Sequence, residues 1–321
     1  MKRLQVLLLP VPELFEPWCS DVIEAIGERH DQSVYDPTQP LVAQFSNIDV
    51  VIDHGGSVST AAMMAAATHV RLWQVLGTGF DHFDLETMRA RGVPVTHCPG
   101  QFSATALAET AMMFLLMLAS GYKQRTAGFA QRVSYQPIGD ELGGAHLLII
   151  GFGASGQELA RRARAFGMEI SAIDVRPMEL DAAVQPDFLG TPDDVDRLLA
   201  ACDYVSLHLH LNNDTRHLLD ERRLALMPPS ARVINVARGA LIDERALYQA
   251  LESGRLAGAG LDAFLQEPPD PTLPVYGLPT VVTTPHTAGV TRRTSRLRAQ
   301  CMAENVDRLA RGEELKHRID T

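Results

Sequence analysis

The chain has 321 residues, 46% of them hydrophobic and 21% charged, a balance that excludes a disordered, collagen-like or coiled-coil protein. With 29 Lys and Arg against 39 Asp and Glu, its formal charge is −10; the overall field repels polyanions, so neither nucleic acid nor an anionic membrane surface is expected as a partner. Its four cysteines, Cys19, Cys98, Cys202 and Cys301, are far apart with no Cys-x-x-Cys pair, which points to structural thiols in a reducing, cytoplasmic setting.

The length suits about two domains, each with its own core. Met1-Lys2-Arg3 and the apolar run after it resemble the start of a signal peptide, but Pro10, Pro12 and Glu13 cut the run short, and a buried strand over Gln5–Leu9 is expected instead. Apolar runs at Asp49–Asp53, Leu72–Leu76 and Pro94–Thr96 read as further strands, with helices at Asp21–Arg29, Thr60–Ala66 and Leu85–Arg91 between them. Ser103–Ser120 is apolar on nearly every face, so it is expected to be an interdomain and intersubunit helix; its Ala111–Ala119 stretch is less than half the ~20 residues of a membrane span. A second series of strands follows at Leu147–Ile150, Glu169–Asp174, Tyr204–Leu209, Arg232–Val236, Gly258–Asp262 and Val281–Thr283. This alternation predicts an α/β protein with two doubly wound parallel sheets, each binding ligands at the carboxyl ends of its strands.

The strand at Leu147–Ile150 runs into Gly151-Phe152-Gly153-Ala154-Ser155-Gly156, a G-x-G-x-x-G turn followed by a helix over Gln157–Phe166 and another strand. Gly151 permits the tight turn, Gly153 lets backbone approach a pyrophosphate, and Gly156 lets the helix pack close to the strand, while the helix N-terminus supplies N–H donors. Asp174, 18 residues beyond Gly156, stands where a carboxylate accepts hydrogen bonds from an adenosine ribose and repels a 2′-phosphate. The reading is therefore NAD, with NADP less favoured because Arg176 stands two residues away and could reach a phosphate.

Arg238, Glu267 and His286 follow three late strands of the second series, and in a parallel sheet those ends converge on one edge. Singly, they read as a strand-end cation, a turn residue before Pro268 and a core histidine. With them stand Leu76-Gly77-Thr78-Gly79-Phe80-Asp81-His82-Phe83-Asp84, Leu107-Ala108-Glu109, Asn235-Val236-Ala237-Arg238-Gly239, Gly258-Ala259-Gly260-Leu261-Asp262-Ala263-Phe264 and Thr284-Pro285-His286-Thr287-Ala288-Gly289. In this order and spacing, and over nearly the whole chain, the sequence resembles the D-isomer-specific 2-hydroxyacid dehydrogenase family.

The resemblance implies a Rossmann NAD-binding domain, residues 100–288, inserted into a flavodoxin-like substrate domain, residues 1–99 plus 289–321, with Pro99-Gly100 and Ala288-Gly289 as hinges. It implies that Arg238 grips the carboxylate and carbonyl of a 2-keto acid, that His286 exchanges the proton, and that Glu267 orients the imidazole and stabilises its charged form. It further implies a backbone cradle for the substrate carboxylate at Gly77, Thr78 and Gly79, a carboxamide acceptor in Asp262, and cofactor-lining positions at Thr105, Ala237 and Ala288. The expected activity is interconversion of a small 2-keto acid and its D-2-hydroxy acid, with glyoxylate or hydroxypyruvate favoured, in a homodimer. The alternatives are a 3-phosphoglycerate dehydrogenase-like activity and a dinucleotide-sensing, corepressor-like binding protein.

Some departures bear on the substrate. Where phosphate-recognising relatives have an arginine, this chain reads Asp53-His54-Gly55-Gly56-Ser57, leaving His54 as the substrate-side candidate and weakening the phosphoglycerate reading. His208 and His210 alternate on one strand, but no third ligand has suitable spacing, and no metal site is expected. The arginines at 161, 162 and 164, and Arg292, Arg293, Arg296 and Arg298, read as solvated helix faces.

Overall fold

The computed structural model describes residues 2–11, 15–54, 59–81, 83–178 and 180–321. The chain divides into two compact units, Met1–Phe102 with Val290–Thr321, and Ser103–Gly289. The first break falls later than the expected 99/100 because Gly100–Phe102 forms a short 3-10 turn that packs with the first unit's last helix.

In the first unit, β1 (Gln5–Leu9), β2 (Asp31–Val34), β3 (Val50–Asp53), β4 (Leu72–Val75) and β5 (Val95–His97) form an all-parallel sheet in the order 2-1-3-4-5. Helices α1 (Phe15–Ile26), α2 (Leu41–Phe45), α3 (Ala61–Ala66) and α4 (Leu85–Ala90) connect the strands. Thr60 and Asp84 cap α3 and α4 by accepting from the backbone N–H three residues on. Strand alternation sends Val6, Leu8, Val50 and Ile52 into one core with Trp18 and Val22 of α1. Leu7, Leu9, Val51 and Trp73 enter the opposite core with Met63, Met64 and Met88.

In the second unit, β6 (His146–Ile150), β7 (Glu169–Ile173), β8 (Phe188–Gly190), β9 (Tyr204–Leu207), β10 (Arg232–Asn235), β11 (Gly258–Leu261) and β12 (Val281–Thr283) form a parallel sheet in the order 12-11-10-9-6-7-8. Its helices are α5 (Ala104–Ser120), α6 (Tyr122–Ala130), α7 (Ala154–Ala165), α8 (Val195–Leu199), α9 (Glu221–Leu226), α10 (Glu244–Glu252) and α11 (Pro274–Gly277). The strand order reverses between β6 and β9, a topological switch point of the kind that opens a ligand crevice in doubly wound sheets. The chain then returns to the first unit as α12 (Arg292–Arg311), which packs on α1.

Two strands escape the sequence reading, β2 and β8. Both lie at sheet edges, where β2 needs no apolar alternation and reads Asp-Gln-Ser-Val, and β8 is only three residues long. Helix α5 buries Ala108, Ala111, Phe114, Leu115 and Leu118 and leaves Met113 and Leu116 exposed. Gly260 of β11 lies directly under Phe114, where an added Cβ would stand 2.6 Å from the ring. Among the described residues, no single helix is long and apolar enough to cross a membrane.

Candidate active site

Strand β10 ends in a turn that aims Arg238. The buried Asn235 side chain accepts from the Ala237 N–H at 3.0 Å and donates to the Arg238 carbonyl at 2.8 Å, bracing both ends of the turn. Gly239 follows, packed so closely on the strand-end loop after β11 that a Cβ there would fall 1.9 Å from the Phe264 carbonyl carbon and 2.4 Å from the Leu265 nitrogen. The backbone carrying Arg238 is thus in direct contact with the backbone leading to Glu267.

Glu267 uses both carboxylate oxygens. One accepts from the Phe264 N–H at 3.1 Å, which closes the loop, and the other lies 2.6 Å from Nδ1 of His286. Facing a carboxylate, Nδ1 carries the proton and Nε2 is left to exchange one with a ligand. Burial pushes the Glu267 carboxyl up, but the His286 hydrogen bond and charge, the Phe264 N–H and the Arg238 charge outweigh it and hold the group below the usual glutamate range. That Arg238 contributes places the three groups in one electrostatic neighbourhood.

His286 has φ of +54°, a left-handed backbone that costs a non-glycine residue energy unless its surroundings impose it. Asp262 imposes it. From beneath the loop, fully buried, its carboxylate accepts from Thr284 Oγ1 at 2.6 Å, the Thr287 N–H at 2.8 Å and the Ala288 N–H at 2.9 Å. The residue expected to receive a cofactor carboxamide therefore already spends most of its accepting capacity on the loop that presents His286.

The glycine loop separates into structural and open positions. Gly151 has φ of +92°, and a Cβ there would meet the His208 carbonyl at 2.5 Å; at Gly156 it would meet the Gly151 carbonyl at 2.3 Å. Gly153, by contrast, would place a Cβ no nearer than 3.7 Å to its closest neighbour, the Arg176 guanidinium. Gly153 also caps α7 without any side-chain bond, leaving Ala154 exposed and the first-turn N–H groups uncapped. Packing does not require glycine at 153, whereas a bulky phosphate lying on this turn does, so the residues fit a dinucleotide. Phe152 is fully buried and donates its N–H to Asp174 at 2.9 Å; Asp174 is also paired to Arg176 Nε at 3.1 Å. Ser155 lies 3.1 Å from Nδ1 of His208, whose Nε2 is held by Ser206 at 2.9 Å, and burial pushes His208 down to about 3, keeping it neutral. Both ring nitrogens are occupied within the fold.

Arg238, Glu267, His286, Ala237, Asp262 and Ala288 thus gather at the carboxyl ends of β10, β11 and β12, with the glycine loop and Asp174 at those of β6 and β7 and Thr105 in the first turn of α5. In the first unit, Gly77, Thr78 and Gly79 follow β4, and the Thr78 carbonyl is 3.0 Å from Nδ1 of His97. His54 follows β3 and is buried. Gly55, Gly56, Ser57 and His82 lie outside the described residues. Arg298 corrects the sequence reading: it is no part of a solvated face but shares the inward side of α12 with Thr294 and Met302, four residues to either side, and its Nε is fully buried.

Residues 111–288 match the family model described as D-isomer specific 2-hydroxyacid dehydrogenase, NAD binding domain. The chain belongs to this family. A hydroxypyruvate reductase from Thermotoga maritima is 35% identical over 260 residues, spanning 80% of this chain and 83% of the relative. A D-3-phosphoglycerate dehydrogenase from Methanocaldococcus jannaschii is 32% identical over 297 residues, which cover 91% of this chain and 55% of that longer protein. The solved glyoxylate reductase from Paecilomyes thermophila superposes with a TM-score of 0.84 at 25% identity, covering 99% of both chains. This D-2-hydroxyacid dehydrogenase is an oxidoreductase of the CH–OH group that interconverts 2-keto and 2-hydroxy acids with a nicotinamide dinucleotide.

Proposed function

We propose that the enzyme uses NADH to reduce a short 2-keto acid, glyoxylate or hydroxypyruvate, to its D-2-hydroxy acid, and catalyses the reverse oxidation. The 2.6 Å pairing of Glu267 with His286 beside the Arg238 guanidinium carries this reading. The dinucleotide, when bound, supplies or accepts the hydride at its nicotinamide ring. Arg238 orients the keto acid through its fixed fork of donors and stabilises negative charge developing on the carbonyl oxygen. His286, its Nδ1 held by Glu267, delivers a proton to that oxygen from Nε2 and recovers one in the oxidative direction. The backbone N–H groups of Gly77, Thr78 and Gly79 form the cradle for the substrate carboxylate. Gly151–Gly156 and the start of α7 hold the pyrophosphate, with Thr105, Ala237, Asp262 and Ala288 along the cofactor. The test is NADH absorbance decay with a panel of 2-keto acids. Consumption accompanied by formation of the D-hydroxy acid is expected, and tight NADH binding with no turnover on any acid would overturn the reading in favour of a dinucleotide sensor.

NAD is preferred over NADP because the Asp174 carboxylate stands at the end of β7, held ionised against its partial burial by Arg176 and the Phe152 N–H. Asp174→Ala removes that acid and releases Arg176, so the ratio of kcat/KM for NADPH to that for NADH is expected to rise by about tenfold or more. A wild-type enzyme that already favours NADPH would contradict the assignment.

The depressed Glu267 carboxyl gives a signed pH prediction. Glu267 is ionised above its lowered titration range, and the pair with His286 is lost only as pH falls through that range. Glu267→Gln removes the titrating carboxylate, so the fall in reductive kcat that the wild type shows as pH drops through the Glu267 range should be absent from the variant. A profile that does not move would rule out the pairing as a catalytic device.

The quaternary structure we assign is a homodimer through the α5–α6 region, where Tyr122, Phe129, Val133, Tyr135 and Ile138 stand exposed. Four buried free thiols support a cytoplasmic location.

A further inference from the structure

The loop that follows β4 in the first unit is tethered from one side. Its residues Gly77, Thr78 and Gly79 come directly after a strand whose last residue, Val75, pairs with His97 at the end of β5. The Cys98 N–H donates to the Gly77 carbonyl at 3.0 Å, and Nδ1 of His97 lies 3.0 Å from the Thr78 carbonyl. A carbonyl only accepts, so Nδ1 carries the proton and donates it. In a trans peptide the N–H points opposite to the carbonyl joined to it. Holding the Gly77 and Thr78 carbonyls against residues 97 and 98 therefore turns the N–H groups of Thr78 and Gly79 together away from β5. Among the described residues, no protein acceptor takes either N–H, which leaves a pair of open donors of the kind that receives an anion.

The two tethers differ in kind. Cys98 donates from its backbone, next to the ladder between β4 and β5, whereas the Thr78 carbonyl is held by a side chain. Glycine at 79 accepts either sign of φ, so without His97 the Thr78–Gly79 peptide turns over at little cost and presents its carbonyl where its N–H had been. A carbonyl in that position repels a carboxylate. Arg298 also reaches the loop, its Nη2 donating to Thr78 Oγ1 at 3.3 Å, but that bond holds the side chain and leaves the peptide plane free. The His97 ring is itself fixed in place. Its backbone N–H donates to the His317 carbonyl at 3.2 Å, and its ring meets that of Phe80 edge to face with centroids 5.4 Å apart.

We infer that His97 is a positioning residue for substrate binding: through its Nδ1 bond to the Thr78 carbonyl it locks the Thr78–Gly79 peptide with the N–H turned into the carboxylate cradle. The inference rests on the cradle proposed above and deepens it by naming the side chain that sets its polarity. His97 acts through the loop, so its removal weakens binding of the acid and leaves the dinucleotide's own affinity alone.

His97→Phe and His97→Asn separate the tether from packing. Phenylalanine keeps a ring against Phe80 but has no donor, whereas asparagine loses the ring but carries an amide nitrogen on Cγ, where Nδ1 stands. The readouts are kcat and KM for glyoxylate, KM for NADH, and the Kd of oxamate, an unreactive keto-acid analogue, for the enzyme–NADH complex, each with a melting curve. His97→Phe is expected to raise the glyoxylate KM and the oxamate Kd by about tenfold or more, the scale of one lost hydrogen bond to a charged group, with KM for NADH within about threefold of the wild type. His97→Asn is expected to bring both back to within about threefold, even where it melts lower than His97→Phe. A role in packing alone predicts the reverse order, with phenylalanine the milder change. That order, equal effects of the two variants, or no oxamate binding in the wild type would overturn the inference and leave the reductase reading intact. Oxamate binding that weakens in His97→Phe and recovers in His97→Asn, with no keto acid reduced by any of the three proteins, would uphold the tether and reject that reading.

Discussion

Replacing Arg238 with methionine should lower kcat/KM for keto-acid reduction by about 10²–10³-fold, the scale for removing a donor aimed at a developing oxyanion. Most of the loss should appear in kcat, because the charge on the carbonyl oxygen grows only as the hydride arrives. Arg238→Lys should recover little. The structure holds Arg238 by its backbone, through Asn235 at both ends of the turn, and one ammonium cannot reproduce a fork aligned in that way. Steady-state kinetics with a melting curve decides the matter: wild-type kcat/KM in a folded Arg238→Met would remove this residue from the chemistry.

A single methyl group at Gly239 should be nearly as damaging. The added Cβ would sit 1.9 Å from a backbone carbon of Phe264, where no side-chain rotation relieves it, so one of the two strand-end loops must move. Overpacking typically costs about 1–3 kcal/mol and can cost more, and a clash against backbone belongs at the upper end. The move would separate the turn carrying Arg238 from the loop carrying Glu267. Gly239→Ala should therefore lose both melting temperature and activity, and lose activity even at temperatures where it remains folded. An Ala variant with wild-type melting and turnover would show that the two loops are not coupled.

Much of this was legible in the sequence, for identifiable reasons. The central strands announced themselves because both faces of a parallel strand are buried and the run is apolar throughout, as in Leu147–Ile150. β2 and β8 lack that signature because an edge strand buries less. Arg238, Glu267 and His286 were legible as residues that follow three neighbouring strands. What supports them was not. The Asp262 carboxylate reads equally well as a ligand group and as a loop clamp, and only its three bonds to Thr284, Thr287 and Ala288 decide what it holds in the fold. Gly239 follows Arg238 in a familiar motif, yet its need for zero side chain comes from a partner 25 residues away. Arg298 was misread because a helix rich in arginine suggests a solvated face. Its spacing from Thr294 and Met302 carried the correcting signal, four residues in each direction on the buried side.

The most direct test is a crystal structure of the enzyme with NADH and oxamate, an unreactive analogue of a 2-keto acid. The oxamate carbonyl oxygen is expected within hydrogen-bond distance of His286 Nε2 and of the Arg238 guanidinium, with the nicotinamide C4 against the carbonyl carbon. Oxamate bound away from both side chains, or a ring turned from them, would contradict it.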